Sequence, residues 1–259
     1  MLIPQISQAP FGRIAVCLAS LLAAGAGQAV AEEFTQEMQG NLGVAGYYTR
    51  SIIAGKSDAT TLLPYLDFNY GRTFARVDTL GIKTLPIGYG HLELIGRISL
   101  DGFSTDAPEL QGLAARATPI PLGVGTLQVT PLGGFWINAF HDVNKSKGNR
   151  FELIWGGKLE LPRVTIYPLL GAEYLSQDYV RYYYGISAQE AAGSQYAAYQ
   201  PAGASNGFIG LIADIKLTDE YFLNCYVRRK WLADAIQLSP IVTQRYLDTA
   251  YVALSYRFK

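Results

Sequence analysis

Residues 150–161 read RFELIWGGKLEL. Phe151, Leu153, Trp155, Leu159 and Leu161 share one parity, and Arg150, Glu152, Lys158 and Glu160 share the other. Successive side chains of an extended strand point to opposite faces, so the stretch has one apolar and one charged face. Wound as a helix, it would scatter the same charges around the whole circumference. The period recurs along the chain. Leu92, Leu94 and Ile98 alternate with His91, Glu93 and Arg97, and Ile209, Leu211, Ala213, Ile215 and Leu217 with Asp214 and Lys216. The last stretch sets Val252, Leu254, Tyr256 and Phe258 against Tyr251, Ser255 and Arg257.

Apolar-out, polar-in alternation in segments of about ten residues is the pattern of a transmembrane barrel, in which one face meets lipid and the other a lumen. Turn signals and alternation together predict twelve strands, near 41–49, 61–70, 73–78, 80–86, 91–99, 112–120, 126–138, 150–161, 163–176, 206–217, 221–233 and 245–258. Ten is the alternative count, and the split between the third and fourth rests on Asp78-Thr79, a weak turn signal. An even number returns both termini to the periplasmic side of a bacterial barrel. Short periplasmic turns then fall at Gly71, 88–90, 121–125, 162–163 and 218–220, and longer outer connections at 50–60, 100–111, 139–149, 177–205 and 234–244. The predicted fold is therefore an all-β, antiparallel transmembrane barrel over 32–259 with no second domain.

Composition agrees with that class. Lys and Arg number 21, as do Asp and Glu, and only 16% of residues are charged, while Tyr (18) and Gly (27) are plentiful. Charge balance without a basic cluster excludes a nucleic-acid footprint. At the N-terminus Arg13 precedes an uncharged run, IAVCLASLLAAGAGQAVA, closed by small residues at Ala29 and Ala31. This pattern predicts a signal peptide over 1–31, removed from the mature chain. Cys17 would leave with it, so Cys225 remains alone and neither an internal disulfide nor a cysteine-based zinc site is expected.

The chain is poor in catalytic equipment. Nucleophilic chemistry needs a Ser or Cys within reach of a base, and the two histidines, His91 and His141, fall at opposite ends of the predicted barrel. The one constellation to weigh is His141-Asp142 with Ser239, a pairing of remote loops; no enzyme, cofactor or metal is predicted. The inward parity instead collects charges of both signs. Arg97, Glu152, Lys158, Glu173 and Arg257 are the candidate members of a lumen network that narrows or closes the interior.

The run YLSQDYVRYYYGISAQEAA (174–192), then YQPAGAS (199–205), LADAIQLSPIV (232–242) and a final LSYRF (254–258) resembles the MltA-interacting protein (MipA/OmpV) family of outer-membrane proteins. The signature positions are Tyr182, Tyr183, Tyr184, Gly185, Ser187, Glu190, Tyr199, Pro201, Asp234, Ser239 and Pro240. The resemblance implies an outer-membrane barrel surrounded by lipid. It also implies a scaffold role joining a murein lytic transglycosylase to a murein synthase in peptidoglycan turnover. A small-solute channel and a surface-exposed adhesion or interaction barrel are the alternatives. Phe258, a C-terminal aromatic followed by Lys259, resembles the signal read by the barrel-insertion machinery. Locally, Ser187 and Glu190 have the spacing of a capping box, Ser239-Pro240 suits a turn, and the three tyrosines suit interfacial anchoring or a stacking platform.

Overall fold

The computed structural model describes Phe34 and residues 36–258; the predicted signal peptide lies outside the described residues, as does Lys259. The strands follow one another as an antiparallel meander: β1 (Gln39–Thr49), β2 (Ala59–Tyr70), β3 (Thr73–Arg76), β4 (Thr79–Ile87), β5 (Gly90–Arg97), β6 (Pro121–Thr130), β7 (Gly133–Asp142), β8 (Asn149–Gly156), β9 (Leu159–Glu160), β10 (Val164–Leu175), β11 (Ala204–Lys216), β12 (Tyr221–Trp231) and β13 (Tyr246–Phe258). β1 pairs with both β2 and β13, and β11 with both β10 and β12, so the sheet closes on itself. The two-residue β9 lies with β8 against β10 as a single staff interrupted at Gly157-Lys158. The described residues thus form a closed barrel of twelve strands. Closure is what lets a sheet sit in hydrocarbon, since it leaves no terminal edge of unpaired amides and carbonyls.

Outward parity carries the lipid face. Val44, Leu62, Ile82, Leu94, Val124, Phe151, Leu153, Leu170, Ile209, Leu211, Val252 and Leu254 are all exposed, a continuous apolar belt that water would penalise and a bilayer does not. Gly40 is in register with Phe258, so the two ends of the barrel chain meet. They meet at the rim of short turns, which is the periplasmic one in barrels of this kind.

Two predicted segments are corrected. The predicted strand 112–120 belongs to the outer connection 98–120, where Pro119 has no amide to donate and only an isolated Phe103–Arg116 bridge forms. The predicted strand 126–138 is a hairpin, β6 and β7, turned at Pro131-Leu132 with Gly133 at φ +117°. The predicted periplasmic turn at 121–125 lies inside β6. These errors compensate, so the strand count and the side of the termini are unchanged.

The outer connections carry the helices α1 (Gln177–Tyr184), α2 (Ala188–Gly193) and α3 (Asp234–Gln237), with a short 3-10 turn at Pro108–Leu110. They bury two apolar clusters of their own. One joins Ile52, Leu175, Tyr179, Val180, Tyr183, Leu232 and Ile236; the other joins Leu110, Leu113, Ile186 and Ile241. Leu110, Val180, Ile186 and Ile241 have no exposed surface. The connections 50–58, 98–120, 176–203 and 232–245 therefore form a folded cap on the outer end of the barrel.

Candidate functional site

The inner wall is crossed by ion pairs. Arg76 on β3 donates two bonds of 2.7 Å to the Glu93 carboxylate on β5. Four residues further along β5, Arg97 reaches across the interior to Glu152 on β8, with Nη1 2.7 and 2.6 Å from the two carboxylate oxygens. Its Nε donates to Thr79 Oγ1 at 3.1 Å. Glu173 on β10 accepts from Lys230 Nζ at 2.7 Å and Asn206 Nδ2 at 2.9 Å, with Arg150 Nε at 3.9 Å. Arg150 then leaves the barrel wall: its Nη2 lies 2.8 Å from Asp101 and 3.0 Å from the Tyr179 hydroxyl, which itself donates to Asp101 at 2.7 Å. Burial works against charge on Asp101, but Arg150, Lys230 and the Tyr179 hydroxyl outweigh it and hold the carboxyl well below its ordinary range. Aromatic planes back the guanidinium groups, Arg76 over Phe74 at 3.9 Å, Arg97 over Phe140 at 4.4 Å and Arg150 over Tyr179 at 5.2 Å.

Arg97, Glu152 and Glu173 thus lie in one mixed-charge band, while Lys158 and Arg257 lie elsewhere. Lys158 stands at the periplasmic rim beside the break between β8 and β9, 55% exposed and paired with Glu160 at 2.5 Å. Arg257 donates to Asn41 Oδ1 at 2.9 Å and covers the Phe222 ring at 3.5 Å, near the same rim. Alternation gives the face a side chain points to and not its height along the barrel, which is why parity alone groups these two with the others. Asp101, Tyr179 and Asn206 were not anticipated. The first two come from irregular connections where no period operates, and an inward Asn carries no charge signal.

The signature residues are the joints of the cap. Ser187 Oγ accepts from the Glu190 amide at 3.2 Å and Glu190 accepts from the Ser187 amide at 2.9 Å, a complete capping box at the start of α2. Glu190 also binds the Ala114 amide at 3.0 Å and Arg116 at 2.9 Å, tying α2 to the connection 98–120. Burial opposes its charge, but these amides and the guanidinium prevail and bring its pKa down to about 2. Arg116 donates as well to the Gly185 carbonyl at 3.1 Å. The reading of Tyr182, Tyr183 and Tyr184 as interfacial anchors is corrected. Tyr182 Oη accepts from the Ala117 amide at 2.9 Å, Tyr183 Oη donates to the Ala117 carbonyl at 3.0 Å, and the Tyr184 carbonyl accepts from Ser239 Oγ at 2.6 Å. The three sit in the run that forms α1, whose amphipathic face turns Tyr179, Val180 and Tyr183 into the cap. Tyr199 bridges Ile186 through the backbone and donates to the Ala235 carbonyl at 3.1 Å. Pro201 is buried, Asp234 opens α3, and Pro240 follows the buried Ser239 into Ile241.

The histidine constellation does not assemble. His141 Nδ1 is 2.9 Å from Asn149, Asp142 accepts the amides of Ile120, Asn144 and Ser146, and Ser239 is committed to Tyr184. Phe258 closes the outward row of β13, edge-on to Tyr256 at 5.2 Å.

A family model described as MltA-interacting protein MipA matches residues 42–258. The chain belongs to the MipA family. This makes it a non-enzymatic β-barrel of the bacterial outer membrane. YiaT of Escherichia coli (strain K12), named as an outer membrane protein, is 25% identical over 222 residues, 84% of this chain and 90% of YiaT. The MltA-interacting protein of the same strain is 23% identical over 116 residues, 45% of this chain and 47% of that protein. The N-terminal β-barrel domain of Pseudomonas aeruginosa OprF overlaps 86% of this chain and all of that domain at 12% identity, with a TM-score of 0.26. The MipA match covers both the β1–β13 closure and every signature residue of the cap.

Proposed function

We propose that this MipA-family barrel works at the cell surface, presenting its cap as an interaction surface above a lumen shut by ion pairs. The cap itself carries the reading. Four long connections spend their apolar residues on a shared core, and Tyr179 and Asp101 fasten that core to Arg150 in the wall. The contacts that close the mouth thus also hold the cap in one orientation. At the periplasmic end, by contrast, the described connections are no longer than the four residues 217–220. An epitope tag inserted at residue 195, next to α2, tests the reading: external protease should remove it from intact cells, and planar bilayers should show no steady conductance. Cleavage only after permeabilisation would refute a surface role, and steady solute flux would favour the channel.

The second reading is the murein scaffold. It is supported by the name of the MltA-interacting relative, and in this molecule by a periplasmic recess of about 450 Å³ between Glu37, Met38, Glu220, Tyr256, Arg257 and Phe258. Retention of a murein lytic transglycosylase on the detergent-solubilised barrel at low salt would favour it over the surface reading.

A further inference from the structure

The outer half of the barrel wall is interrupted between β2 and β5. β3 climbs only from Thr73 to Arg76, against Tyr70 to Asp67, before the Val77-Asp78 turn sends the chain back down as β4. The Val77 amide donates to the Leu66 carbonyl at 2.7 Å, so the backbone groups of Leu66 face β3. Those of residue 64, two positions along, face the same way, above the point where β3 has ended. Residue 64 is a proline, which has no amide to leave unpaired at a free strand edge.

The opposite side of the gap is the ascending segment 98–106. It is fastened below by the Ile98 amide on the Asp78 carbonyl at 2.8 Å, and above by Lys56 to Ser104 at 2.7 Å and to Asp106. Among the described residues no backbone hydrogen bond joins it to 59–65. The outcome is a framed window. Its lipid side is bordered by the exposed Leu62, Leu80, Ile98 and Leu100, and the inward-facing Ala59 and Thr61 on its edge are exposed as well.

Behind the window the register leads to a cation. Thr61 pairs with Tyr47, Tyr47 with Tyr251 and Tyr251 with Tyr226, the last two rings stacked at 5.1 Å. The adjoining row runs from Ala59 through Thr49 and Thr249 to Arg228. Arg76, Arg97, Arg150 and Lys230 each contact an acid. Arg228 makes no ion pair among the described residues; its Nε is buried without a partner, Thr249 lies directly across the ladder, and its guanidinium lies 5.4 Å from the Phe208 ring. A buried donor left unsatisfied is costly, and this one stands beside a way in from the bilayer.

We infer that the window admits single-chain anionic amphiphiles from the membrane, with the anionic head on Arg228 and Thr249 and the tail running along the tyrosine row and out past Leu62. Window and cation are three strand spacings apart, about 14 Å of inner wall, the reach of a mid-length alkyl chain. An apolar frame selects the tail and an arginine without an ion-pair partner selects the charge. This holds whether the cap binds a surface partner or not.

The test is displacement of a fluorescent fatty acid from the purified full barrel in neutral detergent. Dodecanoate should compete, while acetate, dodecyltrimethylammonium and phosphatidylglycerol vesicles should not. Arg228→Gln should weaken dodecanoate at least tenfold, with Arg228→Lys recovering part of the loss. Thr61→Trp, a change at an exposed edge that leaves the cation intact, should also weaken it. Heat-modifiable mobility shows that each variant is folded. Wild-type affinity in both folded Arg228→Gln and folded Thr61→Trp would overturn the inference, as would equal competition by the cationic amphiphile. Competition by acetate alone, or by phosphatidylglycerol in place of dodecanoate, would overturn the ligand class. Should Arg228→Gln not fold, Thr61→Trp decides: undiminished binding there refutes entry through the window.

Discussion

Removing Arg97 should strand Glu152 inside the barrel. The two side chains are 12% and 5% exposed and share two short bonds to one guanidinium nitrogen. In Arg97→Ala the carboxylate loses its ion pair and is left with the fields of Arg228 and of Arg150, which is already engaged with Asp101 and Tyr179. Breaking a buried pair by deleting one partner costs about 3 to 5 kcal/mol, because the surviving charge stays desolvated; with Arg150 offering partial relief, about 3 kcal/mol is expected. The double variant Arg97→Ala/Glu152→Gln removes the stranded charge, so the two changes should be less than additive by about 1 to 3 kcal/mol. Lys158→Ala supplies the contrast. Lys158 and Glu160 are 55% and 68% exposed, and a solvated pair of that kind contributes less than about 1 kcal/mol. Urea unfolding of the folded barrel in liposomes, with the slope m compared across wild type, the two single variants of the pair, the double variant and Lys158→Ala, reads all of them. A loss below about 1 kcal/mol for Arg97→Ala at unchanged m would mean that water screens the interior. The closed-lumen reasoning would then fail.

Three further outcomes are expected. Phe258→Ala should lower the fraction of heat-modifiable barrel in the outer membrane without reducing secretion, and unchanged folded levels would show that the terminal aromatic does not guide assembly. Gly112 has φ +85°, and a Cβ there would lie 1.9 Å from the Gly193 carbonyl oxygen at the end of α2. Gly112→Ala should therefore loosen the cap by about 1 to 2 kcal/mol from the left-handed backbone alone, visible as faster proteolysis within 186–203 while the barrel stays intact. Glu190 has its pKa lowered from the ordinary 4.5 to about 2. A depressed carboxylate contributes stability that is fully present above its unfolded value and is lost as pH falls through the folded one. The connections around α2 should therefore become protease-sensitive between about pH 4.5 and 2, and Glu190→Gln should flatten that dependence.

The barrel was legible in RFELIWGGKLEL because a strand has a period of two, and lipid on one side with a lumen on the other sorts side chains by that period. Arg97, Glu152 and Glu173 could be assigned inward from parity alone, and Ser187 with Glu190 named their own capping box because both partners lie within one turn of chain. Parity failed where the chain turned quietly. At Pro131-Leu132 the alternation of β6 passed for that of β7, and at 112–120 apolar spacing imitated a strand that Pro119 prevents. Everything that depends on height or on distant segments waited for the tertiary structure. Lys158 and Glu152 share a face and a strand in the sequence, yet one stands in water at the rim and the other is sealed in the interior. Whether Arg228 meets an acid is fixed by registers on β11, β12 and β13, and the window above β3 by where a hairpin happens to turn. Local sequence sets which way a side chain points, because that follows from backbone geometry over two residues. Its partner is set by the stagger of strands far apart in the chain, and only closing the barrel fixes that stagger.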